Sequence, residues 1–191
     1  MQIITKEEFL VRKDELIDKI RHGSIFIYPT DTIYGIGCNA LDSRAVKKIR
    51  DIKGRPKTPF SIIAPSKEWI RENAHAQGEI FEDWLEKLPG PYTLVAKIND
   101  KAIVSEEIHP GGDTLGMRLP DHWIADLVRM TKIPIVTTSA NKVDKNFMTS
   151  LEDLDPEVKK HVDFIIYEGA KKGRPSQIVF LDKEEVKVKV R

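Results

Sequence analysis

The sequence predicts an α/β fold, one twisted mixed sheet with helices on its faces, in a single domain spanning residues 1–191. Three observations carry this. Segments of helical and strand periodicity interleave along the whole chain. No 20–50-residue period repeats, and no composition shift or low-complexity stretch marks a linker. A length of 191 residues suits one domain that buries a core without covalent staples, and Cys38 is the only cysteine, which excludes intramolecular disulfides and cysteine metal clusters.

The elements follow in order. Thr5-x-x-Glu8 is a capping box that opens one helix, with Phe9, Leu10, Leu16, Ile17 and Ile20 inward and Gly23 as the stop. Ser24–Tyr28 is a β-prone run closed by Pro29. Ser43 caps a helix burying Ala45, Val46, Ile49 and Ile52, ended by Gly54 and Pro56. Phe60–Ala64 reads as a buried strand, and Ser66–Ala76 and Glu79–Leu88 as helices, the second stopped by Pro89-Gly90-Pro91. Strands are expected at Tyr92–Ile98 and Thr114–Leu119. A helix opened by Asp121 points Ile124, Leu127 and Val128 inward. Ile133–Thr138 is a strand, Asp153–His161 a short helix, and Phe164–Tyr167 and Gln177–Leu181 are strands. Glu185–Arg191 alternates Val with Lys or Arg, the pattern of a half-buried edge strand.

Composition excludes several function classes. With 31 Lys+Arg against 30 Asp+Glu, the net charge of +1 argues against an unselective polyanion binder. The polar, acidic start and the lack of a long apolar stretch predict a soluble, cytoplasmic protein with no membrane partner. The five histidines (His22, His75, His109, His122 and His161) lack metal-ligand spacing and read as surface or helix-end residues.

Charge is uneven locally. Seven basic residues fall between Arg44 and Lys57 against one acid, Asp51. Lys47, Lys48 and Arg50 read as a solvated helix face. Lys53 and Arg55 flank Gly54 on a loop beyond that helix, where a point charge and a planar fork suit polyphosphate as readily as solvent. Pro29-Thr-Asp-Thr-Ile-Tyr-Gly-Ile-Gly37 packs hydroxyls, a carboxylate, a phenol and two glycines after a strand. Its alternative is a tight turn with self-satisfied hydroxyls. Thr137-Thr138-Ser139-Ala140-Asn141 sits at a strand's C-terminal end, where ligands collect in open α/β sheets; its alternative is an N-cap or turn. Arg118, inside an apolar strand, needs a carboxylate partner from this chain or from a ligand.

Taken together the chain resembles the YrdC family, the single-domain form of L-threonylcarbamoyl-adenylate synthase. The resemblance spans roughly Ser24–Asp182. It rests on Pro-Thr-Asp-Thr-x-Tyr-Gly-x-Gly (29–37), Lys-x-Arg (53–55), Pro-Gly-Pro-x-Thr (89–93), Thr-x-Gly-x-Arg-x-Pro (114–120), Ser-Ala-Asn (139–141) and Pro-Ser-x-Ile-Val (175–179). It implies a basic concave cavity. It also implies a nucleotidyltransferase joining ATP, L-threonine and bicarbonate into threonylcarbamoyl-AMP and pyrophosphate, for threonylcarbamoyl-adenosine modification of tRNA.

By position it implies that Lys53, Arg55, Ser139 and Asn141 are catalytic and that Thr32, Arg118, Thr137 and Ser176 bind threonine. ATP falls to Lys53, Arg55, Thr114, Ser139 and Arg191. Mg2+ is implied as part of the ATP complex, with no tightly bound cofactor and no protein metal site. Candidate partners are tRNA and a downstream threonylcarbamoyl-transferase.

The chain departs from the family pattern in several places. Lys57-Thr58-Pro59-Phe60 is short, and Ile63 stands near an expected His. Thr138 replaces Pro, Phe147 a small polar residue and Gln177 a Thr, and the chain is expected to lack the extra C-terminal domain of the longer synthases. Two other readings are an RNA-binding or tRNA-maturation factor of the same fold without adenylate chemistry, and a divergent paralogue acting on another carbamoyl-type adenylate.

Overall fold

The structure, a computed structural model, describes residues 1–190 except Gln77, Asp144 and Glu184. Its strands are β1 (Gln2–Ile4), β2 (Phe26–Tyr28), β3 (Gly35–Gly37), β4 (Ser61–Ile63), β5 (Tyr92–Lys97), β6 (Thr114–Arg118), β7 (Ile135–Ser139), β8 (Phe164–Ile166), β9 (Gln177–Phe180) and β10 (Lys187–Lys189). Its helices are α1 (Lys6–Val11), α2 (Lys13–Arg21), α3 (Ser43–Lys53), α4 (Lys67–Asn73), α5 (Glu79–Glu86), α6 (Ile124–Thr131) and α7 (Pro156–Lys160). The strands form one mixed sheet in the order β1-β8-β2-β3-β7-β4-β6-β5-β9-β10. The pairs β1/β8, β2/β8, β4/β6 and β5/β9 are parallel, and the others antiparallel. Among the described residues no helix is long and apolar enough to cross a membrane.

Because strand side chains alternate, each strand feeds two cores. One face contributes Ile27, Ile36, Ile62, Leu94, Met117, Val136 and Val179, which pack with Val46 and Ile49 of α3, Ile70 of α4 and Phe81 and Leu85 of α5. The opposite face contributes Phe26, Tyr28, Ile63, Ile135, Phe164 and Ile166, covered by Phe9, Leu16, Ile17 and Ile20 of α1 and α2 and by Ile124, Leu127 and Val128 of α6. Towards β6, β5 and β9 that second face carries the lining of an open cavity instead (Thr93, Val95, Gly116, Arg118, Ile178 and Phe180).

Several expectations change. The first helix is two, because Arg12 (φ −101°, ψ 20°) leaves helical geometry and its guanidinium forks onto Glu15 at 2.8 and 2.9 Å. Leu10 is consequently exposed while Phe9 packs on Trp123. The capping box at Thr5 and Glu8 is formed as expected. Asp42, not Ser43, caps α3, its Oδ1 accepting from the Arg44 and Ala45 amides. The Ser43 hydroxyl bonds Ser105 instead. Asp121 does not open α6; its amide donates to Asp31 Oδ2 and the helix starts at Ile124. The helix expected at Asp153–His161 reduces to α7, capped by Asp155 ahead of Pro156. β10 is an edge strand, but all three of its residues are exposed rather than half-buried. β1 and β3 lie outside the expected strands: β1 is a three-residue run ahead of the capping box, and β3 is Gly35-Ile36-Gly37, whose glycines carry no strand propensity.

Two readings of charged residues are also corrected. Arg50 is not on a solvated face: it is 4% exposed and spends its fork on the carbonyls of Arg55, Thr58, Glu107 and Ile108. Five donors on a planar group suit a crowded set of loop carbonyls, which is why this position is buried while Lys47 and Lys48 stay exposed. His109 is buried rather than at the surface, with neither ring nitrogen hydrogen-bonded among the described residues.

Candidate active site

A cavity of about 700 Å³ opens on the sheet face left free of helices. Strand register arranges its floor in rows. Thr137, Ser61, Gly116, Val95 and Phe180 lie side by side across β7, β4, β6, β5 and β9. Two residues further along, towards the α6 side, come Arg118, Thr93 and Ile178; two residues the other way come Thr114 and Lys97.

Of the residues expected from sequence, Thr32, Arg55, Thr114, Arg118, Thr137, Ser139 and Ser176 line this cavity. Lys53 and Asn141 form the wall behind Ser139. Arg191 lies outside the described residues.

Lys53 is not on a loop. It is the last residue of α3, and Gly54 (φ 63°) caps the helix in the left-handed region. The helix end drives the ammonium inward, 3% exposed. There it donates to the Ser139 and Asn141 carbonyls, both at 2.6 Å, and reaches Asn141 Oδ1 at 3.3 Å. The Ser139 hydroxyl donates to the same Oδ1 at 2.5 Å. Ser-Ala-Asn is thus a turn wrapped around a lysine. Burial, helped by the neighbouring Arg55 cation, pulls the Lys53 amine down to about 7. Arg55, half-buried, borders the cavity with its guanidinium 5.6 Å from the Phe60 ring, while Arg50 stacks on that ring at 4.5 Å and holds the Arg55 carbonyl.

At the Thr32 end, Arg118 finds its carboxylate within this chain. Nη2 meets Asp31 Oδ1 at 2.5 Å, and Asp31 Oδ2 accepts the Asp121 amide. The Arg118 Nε is buried without a partner among the described residues. Thr30 donates to the Ile33 carbonyl at 2.7 Å and accepts from the Thr32 amide. Its one proton is therefore spent, so in the 2.9 Å contact between hydroxyls Thr32 donates. Thr32 consequently presents only acceptor lone pairs to anything else. Thr93 and Ser176 share a hydroxyl contact at 2.9 Å.

A strap from Tyr167 to Ser176 closes this end. Tyr34, fully buried, donates to the Gly169 carbonyl and accepts the Glu168 amide. Glu168 is bonded by Lys171, by Trp123 Nε1 and by His122 Nε2. Burial alone would raise the Glu168 carboxyl, but these three donors outweigh it and bring it to about 2. Gly173 then passes Thr32 so closely that an added Cβ would lie 2.2 Å from the Thr32 carbonyl oxygen.

Sequence reasoning missed Asp31 as the partner of Arg118, and it missed Asp182, Lys183 and Lys189, which also line the cavity. The alternation after Gln177 was the available signal for Asp182. Phe147, noted as a departure, lines the cavity, whereas Ile63 is buried in the core under α6. Among the described residues no group of three or more His, Cys, Asp or Glu side chains could hold a metal.

Comparison with known proteins bears on this arrangement. A putative threonylcarbamoyl-AMP synthase of Methanocaldococcus jannaschii is 34% identical over 171 residues, 88% of this chain and 79% of that protein. The threonylcarbamoyl-AMP synthase of Pyrococcus abyssi is 37% identical over 153 residues, 78% of this chain but 44% of that longer protein. The crystal structure of P. abyssi Sua5 complexed with L-threonine superimposes with a TM-score of 0.84 at 31% identity, covering 98% of this chain and 56% of the other. This chain therefore spans about half the length of the Pyrococcus protein. The family described as telomere recombination, Sua5/YciO/YrdC, matches residues 18–191. With the Thr32–Arg118 end, the Lys53-bearing wall and the strap all falling inside the matched residues, the chain belongs to the Sua5/YciO/YrdC family.

Proposed function

We propose that this protein, as a single unit, makes threonylcarbamoyl-AMP and pyrophosphate from ATP, L-threonine and bicarbonate. The observation that carries the reading is one cavity with two chemically distinct ends. One end offers Arg118, the acceptor-only Thr32 and the Thr93–Ser176 hydroxyls; the other offers Arg55, Thr114 and the Ser139 turn with Lys53 behind it.

The first end suits an amino acid: a guanidinium for its carboxylate and a hydroxyl lone pair for an N–H. There the threonine amine combines with bicarbonate to a carbamate, losing water. The carbamate oxygen then attacks the α-phosphorus, and pyrophosphate leaves. That step needs alignment and neutralisation of phosphate charge rather than a protein nucleophile, and Lys53 and Arg55 supply the charge. Mg2+ belongs to the ATP complex in this reading, since among the described residues the cavity brings no cluster of carboxylates to hold it. The mixed anhydride passes to a tRNA-modifying transferase.

Expected outcome: pyrophosphate release from ATP requires both L-threonine and bicarbonate, measured with a coupled phosphate assay. Turnover indifferent to threonine would overturn the reading.

A further inference from the structure

Asp182 has no role in the chemistry above, yet it lines the same cavity. Ser176, Ile178, Phe180 and Asp182 all face it, so the period-two alternation of β9 runs past the strand's end. The Leu181 amide still bonds the Val95 carbonyl at 2.8 Å and keeps the segment in the ladder. The Asp182 side chain is 7% exposed. Its Oδ2 lies 3.0 Å from Lys183 Nζ. Its Oδ1 is buried and has no hydrogen-bond partner among the described residues. A buried carboxylate oxygen left unmet is costly, so the site is built for a donor that arrives with a ligand.

The sign and the position of the carboxylate restrict that donor. The other charged side chains on the cavity are Arg55, Arg118, Lys183 and Lys189. A carboxylate repels phosphate, so it marks where phosphate does not lie. Register puts Asp182 beyond the Val95–Phe180 row, at the Thr114 end and away from Arg118. Across the sheet it stands four strand spacings from the Ser139 wall on β7, about 19 Å at ~4.8 Å each in a flat sheet. A triphosphate held at Arg55 and the Ser139 turn, with the Lys53 charge behind it, can therefore direct its nucleoside over Val95 and Phe180 towards Asp182.

We propose that Asp182 is the nucleoside-reading residue of this cavity: its free Oδ1 accepts a hydrogen bond from an O–H or N–H of the nucleoside, either a ribose hydroxyl or the amino group of the base. The proposal rests on ATP being the nucleotide.

Calorimetric titration tests it, with ATP, 2′-deoxy-ATP, 3′-deoxy-ATP and inosine triphosphate against wild type, Asp182→Asn and Asp182→Ala. Melting curves without nucleotide establish that each variant is folded. Wild type should bind ATP more tightly than the analogue lacking the recognised donor, by roughly tenfold or more, the worth of a hydrogen bond to a charged group. Asp182→Ala should lose that factor for ATP and bind ATP and that analogue alike. Asp182→Asn, which keeps an acceptor oxygen at the same place, should retain part of the preference. A preference lost against the deoxy analogues assigns the ribose; one lost against inosine triphosphate assigns the base. Variants that bind every nucleotide as wild type does would overturn the inference while leaving the ATP reading intact. So would an Asp182 effect that disappears when Mg2+ is chelated, since the carboxylate would then be a cation ligand. Wild-type protein that binds no ATP would overturn both.

Discussion

Lys53 and Arg118 are the two residues whose surroundings most limit what the site can do, and both are surrounded by this chain rather than by solvent. Arg118 is legible in sequence as a cation that needs a carboxylate. Its partner is not, because Asp31 stands 87 positions away on a different strand end and nothing local marks the pairing. Lys53 is legible as a phosphate candidate, but its burial follows from the left-handed cap at Gly54 and from the Ser139–Asn141 turn, neither of which a charge count reveals. That burial gives it a proton linkage. Its amine sits at about 7 in the folded protein against an ordinary 10.5. Between those values the unfolded chain holds a proton that the folded one has released, so this group's contribution to stability rises with pH across that window; below about 7 the full cost of burying the charge is carried. A bound triphosphate favours the ammonium and pushes the amine back up. ATP binding at pH 8 should therefore take up a fraction of a proton, seen as calorimetric enthalpies that depend on the buffer's ionisation enthalpy. The uptake should shrink towards zero at pH 6, where Lys53 is already charged, and vanish in Lys53→Met. Equal uptake in that variant would assign the proton elsewhere.

Elements with a strong local signature read correctly, and those defined by their neighbours did not. α3 announces itself through Ala45, Val46, Ile49 and Ile52, all buried, and through its glycine stop. β3 has no such signature: it is Gly35-Ile36-Gly37, and its glycines are explained by Tyr28, whose ring lies across them and whose hydroxyl donates to the Val136 carbonyl at 2.9 Å. A Cβ on Gly37 would stand 2.1 Å from that carbonyl oxygen and 2.9 Å from the Tyr28 ring. The carbonyl belongs to β7, so the clash would fall on the strand that ends in Ser139. Gly37→Ala should cost about 3 kcal/mol, as overpacking of a tight interior does, and so lower Tm by roughly 6–12 °C for a protein this size. The comparison is Lys48→Ala on the exposed side of α3, which should shift Tm by far less. Equal shifts in thermal melts would mean that the sheet absorbs the extra methyl by relaxing around Tyr28.

At the scale of the molecule, the cavity exists because the sheet is longer than the helical cover on one of its faces. α1, α2 and α6 shield the β1–β8–β2 half together with Ile63 and Ile135, and the floor from Thr137 to Phe180 is left to side chains, the strap and whatever binds. Local periodicity predicts a mixed sheet with helices on its faces, but not an order in which β7 lies between β3 and β4 and β9 lies beside β5. Those neighbours, far apart in sequence, are the ones that bring Ser139 at one end and the Thr93–Ser176 pair at the other into a single cavity. The arrangement also has an energetic consequence. The cavity is lined from β4, β5, β6, β7 and β9 and from the Thr32 and Ser176 segments, so a ligand filling it bridges most of the sheet rather than one loop. Such a ligand stabilises the whole cooperative unit by mass action, about 2.7 kcal/mol at a hundredfold excess over its dissociation constant. At ~2–4 °C per kcal/mol that is a rise in Tm of some 5–10 °C, read by scanning calorimetry as a single transition shifted upwards. ATP and L-threonine together should shift it further than either alone, because each end of the cavity is ordered by its own substrate. If the two substrates shifted separate transitions, the cavity would join two independently melting halves, and the ten-stranded sheet would not unfold as one unit.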